Sequence, residues 1–302
     1  MNHYPNYFIS VIIPVFNDSR KLILCLEALE NQIYPKHLYE VIVVDNASEE
    51  DIKSITVKFK QTKFCYESQP GSYAARNQGI STAKGEILAF TDSDCIPALD
   101  WIEKGVKHLI STPNCGLVAG RIDLFFQNPD KPTSVEIFEK IELNFPQKEK
   151  LEELHYGMTA NIFTFRHIFD NVGDFDSTLK SGGDREWGQR VFAAGYEQVY
   201  ADDACVNHPA RHSFSQLRKR VARLTGGKFD RMMSQKPSLM EIFLDIVETF
   251  KPPFRSLYRA WKNKELTSNQ QKIQLILVMF FARYIVISEK IRLYLGGISA
   301  RG

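Results

Sequence analysis

The stretch that decides the fold is Ile87-Leu88-Ala89-Phe90-Thr91-Asp92-Ser93-Asp94, a short apolar run that ends in two acids. Such a run is typical of a strand that is buried on both faces of a sheet. Open α/β sheets bind their ligands beyond the carboxyl ends of their strands, so Asp92 and Asp94 are expected at a ligand site. Two carboxylates spaced in this way are candidate ligands of a divalent cation.

The composition of the 302-residue chain bounds its class. Hydrophobic residues at 44% and charged residues at 25% are ordinary for a globular protein, which excludes disordered, collagen-like and disulfide-scaffold chains. At roughly 150 residues per domain, the length allows one or two domains. The net charge of only +2 gives no general affinity for nucleic acid, so no nucleic-acid partner is expected.

Cysteine usage and the N-terminus predict the compartment. The cysteines are scattered, without a C-x-x-C pair, and are predicted to be free thiols in a reducing environment. Met1 to Tyr7 lacks the basic stretch and apolar run of a secretory signal. We therefore expect a cytoplasmic protein. The cysteines are Cys25, Cys65, Cys95, Cys115 and Cys205.

Two more apolar runs precede the opening stretch and end in polar turns. Phe8 to Val15 is predicted to be a central strand whose ladder ends at Pro14, and the turn after it contains no glycine. The G-x-G-x-x-G cradle of dinucleotide enzymes and the P-loop are therefore absent. Val41 to Val44 is predicted to be a second strand, followed by Asp45. Asp45 is either an ordinary turn residue or a further acid at the ligand edge.

The helix after a third predicted strand, Phe64 to Tyr66, contributes one strong cation. Gly71 and Ser72 suit the start of a helix that packs closely on the sheet. Arg76 either extends to solvent or, beside the acids at the strand ends, binds a ribose or a diphosphate. The alternation of strands and helices from Phe8 to Ile110 predicts βαβ units and a mainly parallel sheet flanked by helices.

Two later segments carry further candidate residues. Ser181-Gly182-Gly183-Asp184 precedes a predicted helix, so Asp184 is either a helix N-terminal acid or a general base on a glycine turn. A helix N-terminus tends to depress the pKa of a carboxylate and to make it a weaker base. His208, followed by Pro209, is either an ordinary surface histidine or a nitrogen ligand of a metal site otherwise built of oxygens.

The chain after residue 212 has a different pattern. Arg211 to Arg231 contains seven Lys or Arg against one acid, which suits either an anion-binding patch or a solvated helix face. Leu239 to Phe250 is predicted to be an amphipathic helix that ends at Pro252-Pro253. The apolar run Ile273 to Ile287 has 15 residues and falls short of the ~20 needed to span a bilayer. An interfacial membrane helix, a dimer helix and a buried core helix remain open for it.

Five motifs resemble, in order and spacing, those of the family 2 glycosyltransferases, over roughly residues 8 to 212. The resemblance implies a GT-A fold, predicted for 1–212, a nucleotide-sugar donor, a divalent metal (Mg²⁺ or Mn²⁺) and inversion at the anomeric carbon. The different pattern of the rest of the chain predicts a helical C-terminal region over 213–302, basic and then apolar. Asp92-Ser93-Asp94 corresponds to the D-x-D motif. The motifs are Val11-Ile12-Ile13-Pro14-Val15-Phe16-Asn17, Val43-Val44-Asp45-Asn46-Ala47-Ser48, Ala75-Arg76-Asn77-Gln78-Gly79, Asp92-Ser93-Asp94 and Gly182-Gly183-Asp184-Arg185-Glu186-Trp187.

The resemblance also implies roles for residues that bind the donor. The first-strand motif, with Pro14 and Asn17, and the acid Asp45 would hold the nucleobase. Arg76 would lie near the ribose and diphosphate. The remaining roles belong to Asp92 on the ribose or the metal, to Asp94 on the metal, and to His208, which resembles a histidine that joins the metal in some GT-A enzymes.

The catalytic base implied by the resemblance is Asp184, the second residue of an acidic pair in the family. Gly183 stands here in place of the first acid, which leaves the assignment open between Asp184 and Glu186. A base is needed within hydrogen-bond reach of the acceptor hydroxyl, and a single displacement needs no covalent nucleophile.

These observations predict an inverting glycosyltransferase that uses a nucleoside-diphosphate sugar, with UDP favoured, and a hydroxyl of a glycan or lipid-linked acceptor. The predicted role is synthesis of a surface polysaccharide or glycolipid at the inner face of the plasma membrane, with peripheral contact through 270–295 and a homodimer as a further option. A catalytically inactive, nucleotide-sugar-binding scaffold is an alternative that Gly183 favours. A sugar nucleotidyltransferase is less well supported, because Val15 to Ser19 offers no glycine-rich, arginine-bearing loop.

Overall fold

The chain forms two compact units in this computed structural model, which describes residues 7–251, 254–264 without the side chain of Arg255, 266 and 268–300. The first unit contains the chain up to Leu124, with Phe145–Leu179 and Gly183–Pro209. The second contains Phe125–Asn144, Lys180–Gly182 and the chain from Ala210 onward. The predicted domain boundary at 212 stays a prediction. Two further predictions concern residues outside the described ones. They are the lack of a secretory signal, which includes residues 1–6, and the end of a helix at Pro252-Pro253.

One sheet of eight strands, counted over the described residues, forms the centre of the first unit. Its spatial order is β3-β2-β1-β4-β7-β6-β8-β5. β1 pairs in parallel with both β2 and β4, β2 pairs in parallel with β3, and β7 is antiparallel to β4 and β6. The strands are β1 (Ile9–Val15), β2 (Tyr39–Asp45), β3 (Thr62–Tyr66), β4 (Ile87–Thr91), β5 (Ile96–Pro97), β6 (Cys115–Phe125), β7 (Asn161–Phe165) and β8 (Glu197–Pro209).

Helices cover both faces of this sheet. Successive side chains of a strand point to opposite faces, and in β1 Val11 and Ile13 enter one apolar cluster while Ile12 enters another. The helices of the first unit are α1 (Ser19–Glu30), α2 (Ile52–Thr56), α3 (Ser72–Thr82), α4 (Trp101–Ser111), α6 (Gln147–Leu154), α7 (Arg166–Val172) and α8 (Gly183–Ala193). Those of the second unit are α5 (Ser134–Glu142), α9 (Phe214–Ser234), α10 (Leu239–Phe250), α11 (Phe254–Lys262) and α12 (Asn269–Tyr294).

The sheet opens between β1 and β4 at its carboxyl edge. The register of β1 with β4 stops at Ile12↔Phe90, whereas the register with β2 continues through Pro14↔Val44. The prediction that Pro14 ends the ladder is therefore wrong for the β2 side, because a proline lacks only the N–H and its neighbours still pair. The strand order reverses at β1, so the gap beside β4 is a topological switch point, where open α/β sheets bind ligands.

The second unit has its own apolar cluster, built from α5, α9, α11 and α12. Within this unit the carboxylate of Glu139 is fully buried and pairs with Arg211 and Arg220. Burial lowers the pKa of Arg220 to about 10. Two basic residues of the segment Arg211 to Arg231 are thus neutralised inside the unit, and neither predicted role, anion-binding patch or solvated face, describes this pair.

The helix α12 is longer than the sequence predicted. It has 26 residues, and among the described helices it is the one with the length and apolar composition to cross a membrane. The length argument against spanning was wrong, because polar residues extend the helix beyond the apolar run at both ends. One face of α12 nevertheless belongs to the core of the second unit. The residues of this face are Leu275, Val278, Met279, Ala282 and Ile285.

A close approach fixes α4 on the sheet. The rings of Trp101 and Phe163 lie with their centroids 4.7 Å apart, and Trp101 donates a hydrogen bond from Nε1 to Oδ1 of Asn161 at 2.8 Å. Gly105, one turn further along α4, lies directly above the ring of Phe163, and a Cβ atom there would overlap the ring. The helix lies at this distance because residue 105 has no side chain.

We expect Gly105→Val to destabilise the protein by about 1–3 kcal/mol, because the added side chain must displace Phe163 from a packed core. Lys107→Val on the exposed face of the same helix is the matched control for β-branching. Urea unfolding of both variants measures the difference. A stability of Gly105→Val equal to that of Lys107→Val would contradict the close packing described here.

Candidate functional site

The turns after β1 and β2 are joined at the carboxyl edge of the sheet. The backbone N–H of Asn17 donates to Oγ of Ser48 at 2.9 Å, and Oδ1 of Asn17 accepts from the N–H of Glu49 at 2.8 Å. Asn17 has a φ of 49°, a left-handed conformation that asparagine tolerates better than most residues. Asn17 therefore holds two loops in one arrangement, which explains an asparagine in a turn without glycine.

Asp45 and Pro14 lie close together at the carboxyl ends of the paired strands β2 and β1. Asp45 is buried, and the pair Val15↔Asp45 directly follows Pro14↔Val44 in the register. Its Oδ1 accepts from the N–H of Ser48 at 3.0 Å, which is the turn-forming role that the sequence left open. One carboxylate oxygen of Asp45 is thus used to shape the loop, and the structure brings Pro14, Asn17 and Asp45 together.

Asn46 fixes the loop that leads into α3. Its Nδ2 donates to the carbonyl oxygens of Glu67 and Gln69 at 3.0 and 2.7 Å, and its Oδ1 accepts from the N–H of Gly71 at 2.7 Å. The sequence analysis did not single out Asn46. The available signal was an amide next to the acid at a strand end, because such a side chain bonds backbone groups on a neighbouring loop.

Arg76 is buried on α3 and does not extend to solvent. Its Nη2 donates to Oδ1 of Asp92 at 2.6 Å, and its guanidinium carbon lies 5.7 Å from the centre of the Tyr73 ring. The Nε atom is buried and has no hydrogen-bond partner among the described residues. An unused donor on a buried cation suits an anionic ligand, because bonding to such a ligand would remove its desolvation cost.

Asp94 and His208 form a candidate metal centre. Nε2 of His208 lies 3.6 Å from Oδ1 of Asp94, and the histidine is almost fully buried. Nδ1 of His208 is 2.8 Å from the carbonyl oxygen of Pro209. A carbonyl only accepts, so Nδ1 carries a proton, and Nε2 is the ring nitrogen that faces Asp94. A carboxylate and an oriented imidazole fit a divalent cation.

Cys95 and Lys21 lie beside Asp94, and the sequence predicted neither of them at this site. Sγ of Cys95 lies within 4.8 Å of the ligand atoms of Asp94 and His208. Burial raises the pKa of the Cys95 thiol well above its usual range, and a protonated thiol is a poor ligand for a hard cation. Nζ of Lys21 is 3.8 Å from Asp94 and 3.0 Å from Asp18. No motif pointed to Lys21, which lies here only because α1 begins beside the gap.

Asp184 begins α8 and lies against Tyr73. Its Oδ1 accepts from the N–H of Arg185 at 2.9 Å and, over a longer 3.4 Å, from the hydroxyl of Tyr73. Burial raises the pKa of Asp184 above its ordinary value, against the opposing effects of the Arg185 N–H, Arg76, Lys150 and Tyr73. The sequence pointed to a depressed pKa at a helix N-terminus, but desolvation is the larger effect in the folded protein.

Tyr73 also explains the glycine that precedes Asp184. A Cβ atom on Gly183 would lie 2.8 Å from Cε2 and Cζ of the Tyr73 ring. The ring therefore occupies the space that a side chain at position 183 would need. The tyrosine hydroxyl, rather than a second acid, is the polar group next to Asp184.

Glu186, the alternative to Asp184, is engaged elsewhere. Its two carboxylate oxygens accept from Nε and Nη2 of Arg190 at 2.7 and 3.0 Å. Arg190 also donates to the carbonyl oxygen of Asp174 at 2.6 Å, so this pair ties α8 to the preceding loop. Arg190 thus engages both oxygens of Glu186 in a bidentate ion pair.

Comparisons with known proteins identify the family of this chain. The family model described as Glycosyl transferase family 2 matches residues 10–173. The glycosyltransferase AglE of Haloferax volcanii is 38% identical over 241 residues, which cover 78% of each chain. An uncharacterized glycosyltransferase of Bacillus subtilis, YfnE, is 32% identical over 179 residues, which cover 57% of this chain and 45% of that protein.

A solved structure shares the fold. The mannosyltransferase PcManGT from Pyrobaculum calidifontis, determined in complex with GDP-Man and Mn²⁺, matches with a TM-score of 0.62 over 96% of this chain and 88% of its own. The sequence identity is 18%, so the likeness concerns the fold alone. It confirms the predicted GT-A fold, an α/β sheet flanked by helices with a helical C-terminal region.

We expect Asp184→Asn to raise the free energy of unfolding near pH 7. The pKa of Asp184 is raised in the folded state, so its stabilising contribution is present at low pH and is lost as the pH rises through that folded pKa. The gain of the asparagine variant over the wild type should shrink toward zero below about pH 3.9. Urea unfolding across this pH range measures it.

Asp170→Asn, at an exposed position of α7, controls for the loss of one negative charge. An Asp184→Asn variant that is less stable than the wild type at pH 7 would show that the carboxylate is a net stabilising group, in conflict with its burial.

Proposed function

Because the chain belongs to glycosyltransferase family 2, we propose that it transfers a sugar, with inversion, from a nucleoside-diphosphate donor to an acceptor hydroxyl. The observation that carries this proposal is the buried Arg76, which pairs with Asp92 and contacts the ring of Tyr73, the residue beside Asp184. An anion-binding cation and a candidate base thus meet at one edge of the sheet. This is the combination that displacement of a diphosphate by a hydroxyl requires.

The proposed nucleobase site is the joined pair of loops that contains Pro14, Asn17 and Asp45. A buried carboxylate accepts hydrogen bonds, and the ring N–H groups of uracil and of guanine both donate them. The proposal keeps the UDP-sugar predicted from the sequence. The GDP-Man in the structure of PcManGT makes GDP-sugars the first competing donors to compare in a binding screen.

The proposed metal ligands are Asp94 and His208, with Asp92 beside them, and the proposed ion is Mg²⁺ or Mn²⁺. Mn²⁺ in the structure of PcManGT supports this choice. When bound, such a cation neutralises the negative charge that builds on a departing diphosphate. Lys21 is a cation beside the proposed ligands, with Nζ 3.0 Å from Asp18 and 3.8 Å from Asp94.

Asp184 is the proposed general base. The oxygen of the acceptor hydroxyl forms its bond to the anomeric carbon as the bond to the diphosphate oxygen breaks, and the hydroxyl proton passes to Asp184. Burial raises the pKa of Asp184, which makes it a better proton acceptor than an exposed aspartate. Tyr73 orients the carboxylate, and Arg76 binds the diphosphate. Glu186 has a structural role in this proposal, because Arg190 occupies both of its oxygens.

The proposed acceptor is a hydroxyl of a glycan or of a lipid-linked sugar, and the proposed setting is synthesis of a surface polysaccharide or glycolipid at the inner face of the plasma membrane. A cytoplasmic location, peripheral membrane contact through 270–295 and a homodimer stay predictions. An inactive scaffold is the rival proposal that Gly183 suggested. The Tyr73 ring offers a packing reason for this glycine, which removes the need to explain it by loss of catalysis.

With Mn²⁺ present, the wild type should release a nucleoside diphosphate from one activated sugar, and Asp94→Ala should lower the rate by about 10²–10³-fold. The reason is that the variant lacks the proposed carboxylate ligand. Asp203→Ala, an acid of β8 that pairs with His108 and Lys104, is the control. A donor screen with UDP-sugars and GDP-sugars precedes the assay.

Undiminished turnover of Asp94→Ala in the presence of EDTA would contradict the metal proposal. Binding of UDP or GDP without turnover for any acceptor would support the scaffold instead.

In Tyr73→Phe, we expect the acid limb of the pH profile of kcat/KM to move to higher pH. The hydroxyl donates to the ionised carboxylate, so its removal raises the pKa of Asp184 further. The ring over Gly183 is kept, which separates this effect from a loss of packing. Tyr66→Phe, at an exposed tyrosine, is the control. An acid limb that stays in place would show that Tyr73 does not act on the base.

A further inference from the structure

The exposed apolar side chains are concentrated in the second unit. More than half of the large apolar side chains that are exposed, among the described residues, lie after residue 238. On α10 they include Leu239, Met240, Phe243 and Leu244. A continuous apolar surface of this kind marks a site of interaction with another molecule or with a membrane.

The helix α11 presents aromatic side chains on one face. Phe254, Tyr258 and Trp261 are 72%, 66% and 45% exposed, and their spacing of four and three residues places them on the same side. Leu257 and Ala260 lie on another side and pack into the core of the second unit. The helix is therefore anchored by one face and exposes an aromatic row on the other.

Basic side chains flank this aromatic row. Arg259 and Lys262 each follow an aromatic residue by one position, which places them about 100° further around the helix, and both are exposed. Lys264 is exposed beyond the end of α11, and Nζ of Lys272 lies 5.7 Å from the centre of the Trp261 ring. The sequence from residue 251 to 272 contains six basic residues against one acid.

Of the three acids of α10, only Glu248 offsets part of this positive charge, because the other two are engaged elsewhere within the unit. Glu241 closes a capping box with Ser238 at the start of the helix. Asp245 pairs with Lys290 at 2.6 Å and accepts from the hydroxyl of Tyr294 at 2.8 Å. Glu248, the remaining acid, pairs with Lys251 at 2.6 Å, next to the start of α11.

We propose that the exposed faces of α10 and α11 form a surface that binds a lipid bilayer containing anionic headgroups. Trp and Tyr rings favour the boundary between headgroups and acyl chains, and adjacent Lys and Arg side chains are attracted to anionic lipids. The proposal adds residues 239–264 to the membrane contact predicted for 270–295, because aromatic and basic side chains are exposed together there; α12 also exposes apolar side chains, such as Leu277 and Phe280.

Charge decides between a bilayer and a second copy of the chain. A symmetric dimer brings the same patch of two copies together, so Arg259, Lys262 and Lys264 of one copy would meet those of the other. Like charges across an interface are unfavourable. Anionic lipids are complementary to the same residues. The proposal goes beyond sugar transfer, since vesicle binding needs neither donor nor acceptor.

The test uses the full-length protein and vesicles of phosphatidylcholine alone or with 30 mol% phosphatidylglycerol. Trp101 and Trp187 are fully buried and Trp261 is exposed. A blue shift of the tryptophan fluorescence on addition of anionic vesicles therefore reports on Trp261. We expect this shift, and flotation of the protein, with the anionic vesicles but not with phosphatidylcholine alone, and we expect both to weaken with added salt.

Two double variants separate the apolar and the charged contributions. Tyr258→Glu with Trp261→Glu should lower the partition into anionic vesicles at least about 10-fold, read by flotation. Arg259→Gln with Lys262→Gln should weaken binding and reduce its salt dependence, because fewer basic residues contact the headgroups. Val57→Glu, at an exposed apolar position of the first unit, should bind like the wild type. Thermal unfolding and donor hydrolysis confirm that each variant is folded.

Flotation that is equal for the wild type and the Tyr258→Glu/Trp261→Glu variant would overturn the proposal. Retention in the vesicle pellet after alkaline carbonate washing would also overturn it in favour of insertion of α12. A dimer in solution that the same variant dissociates, without vesicle binding by the wild type, would assign the surface to a second copy. Vesicle binding by a protein without turnover would leave this proposal standing and remove the proposed transfer activity.

Discussion

The ion pair between Arg76 and Asp92 is the interaction on which the candidate site depends. A buried guanidinium is costly unless it is paired, and removal of one partner from such a pair typically costs 3–5 kcal/mol. Arg76 pairs with one oxygen of Asp92, and its buried Nε has no partner within the part of the chain that the structure describes. The surrounding contacts hold this incomplete arrangement in place, with Asn46 fixing the loop before α3 and the Tyr73 ring packing beside the cation. An anionic ligand would complete it.

The same burial raises the pKa of Asp184, the proposed base. Asp184 shares Tyr73 with Arg76, and the loss of water around its carboxylate outweighs the favourable N–H of Arg185 at the start of α8. A carboxylate kept at a raised pKa is a stability cost at neutral pH and a gain in basicity, as is usual for functional sites. Gly183 belongs to this arrangement, because any side chain there would displace the ring that contacts the base.

The sequence predicted the parallel strands β1 to β4, because their apolar runs are separated by polar turns. It did not predict β5 or β7, which pair antiparallel with β8 and β4. It identified the acids at the ends of β2 and β4, because in each case an apolar run changes to polar residues at the end of the strand. It did not identify Tyr73 as a neighbour of residues 183 and 184, because helical periodicity predicts that a ring is buried and not which distant glycine it covers. The sequence left the base open between Asp184 and Glu186. Spacing along a helix does not show whether Glu186 pairs with Arg190, one turn away, and the structure shows that it does.

The second unit shows where hydropathy misleads. The most apolar run of the chain lies in the centre of α12, and one face of that helix packs against α5, α9 and α11 in the core. The helix with the lower hydropathy, α11, keeps Phe254, Tyr258 and Trp261 exposed. A residue buried in a protein core needs only to be apolar. A residue at a bilayer surface needs an apolar body beside a polar or charged group, which tyrosine, tryptophan and their basic neighbours supply and leucine does not. A search for membrane contacts by mean hydropathy therefore selects α12 and passes over α11, the helix that carries the proposed contact.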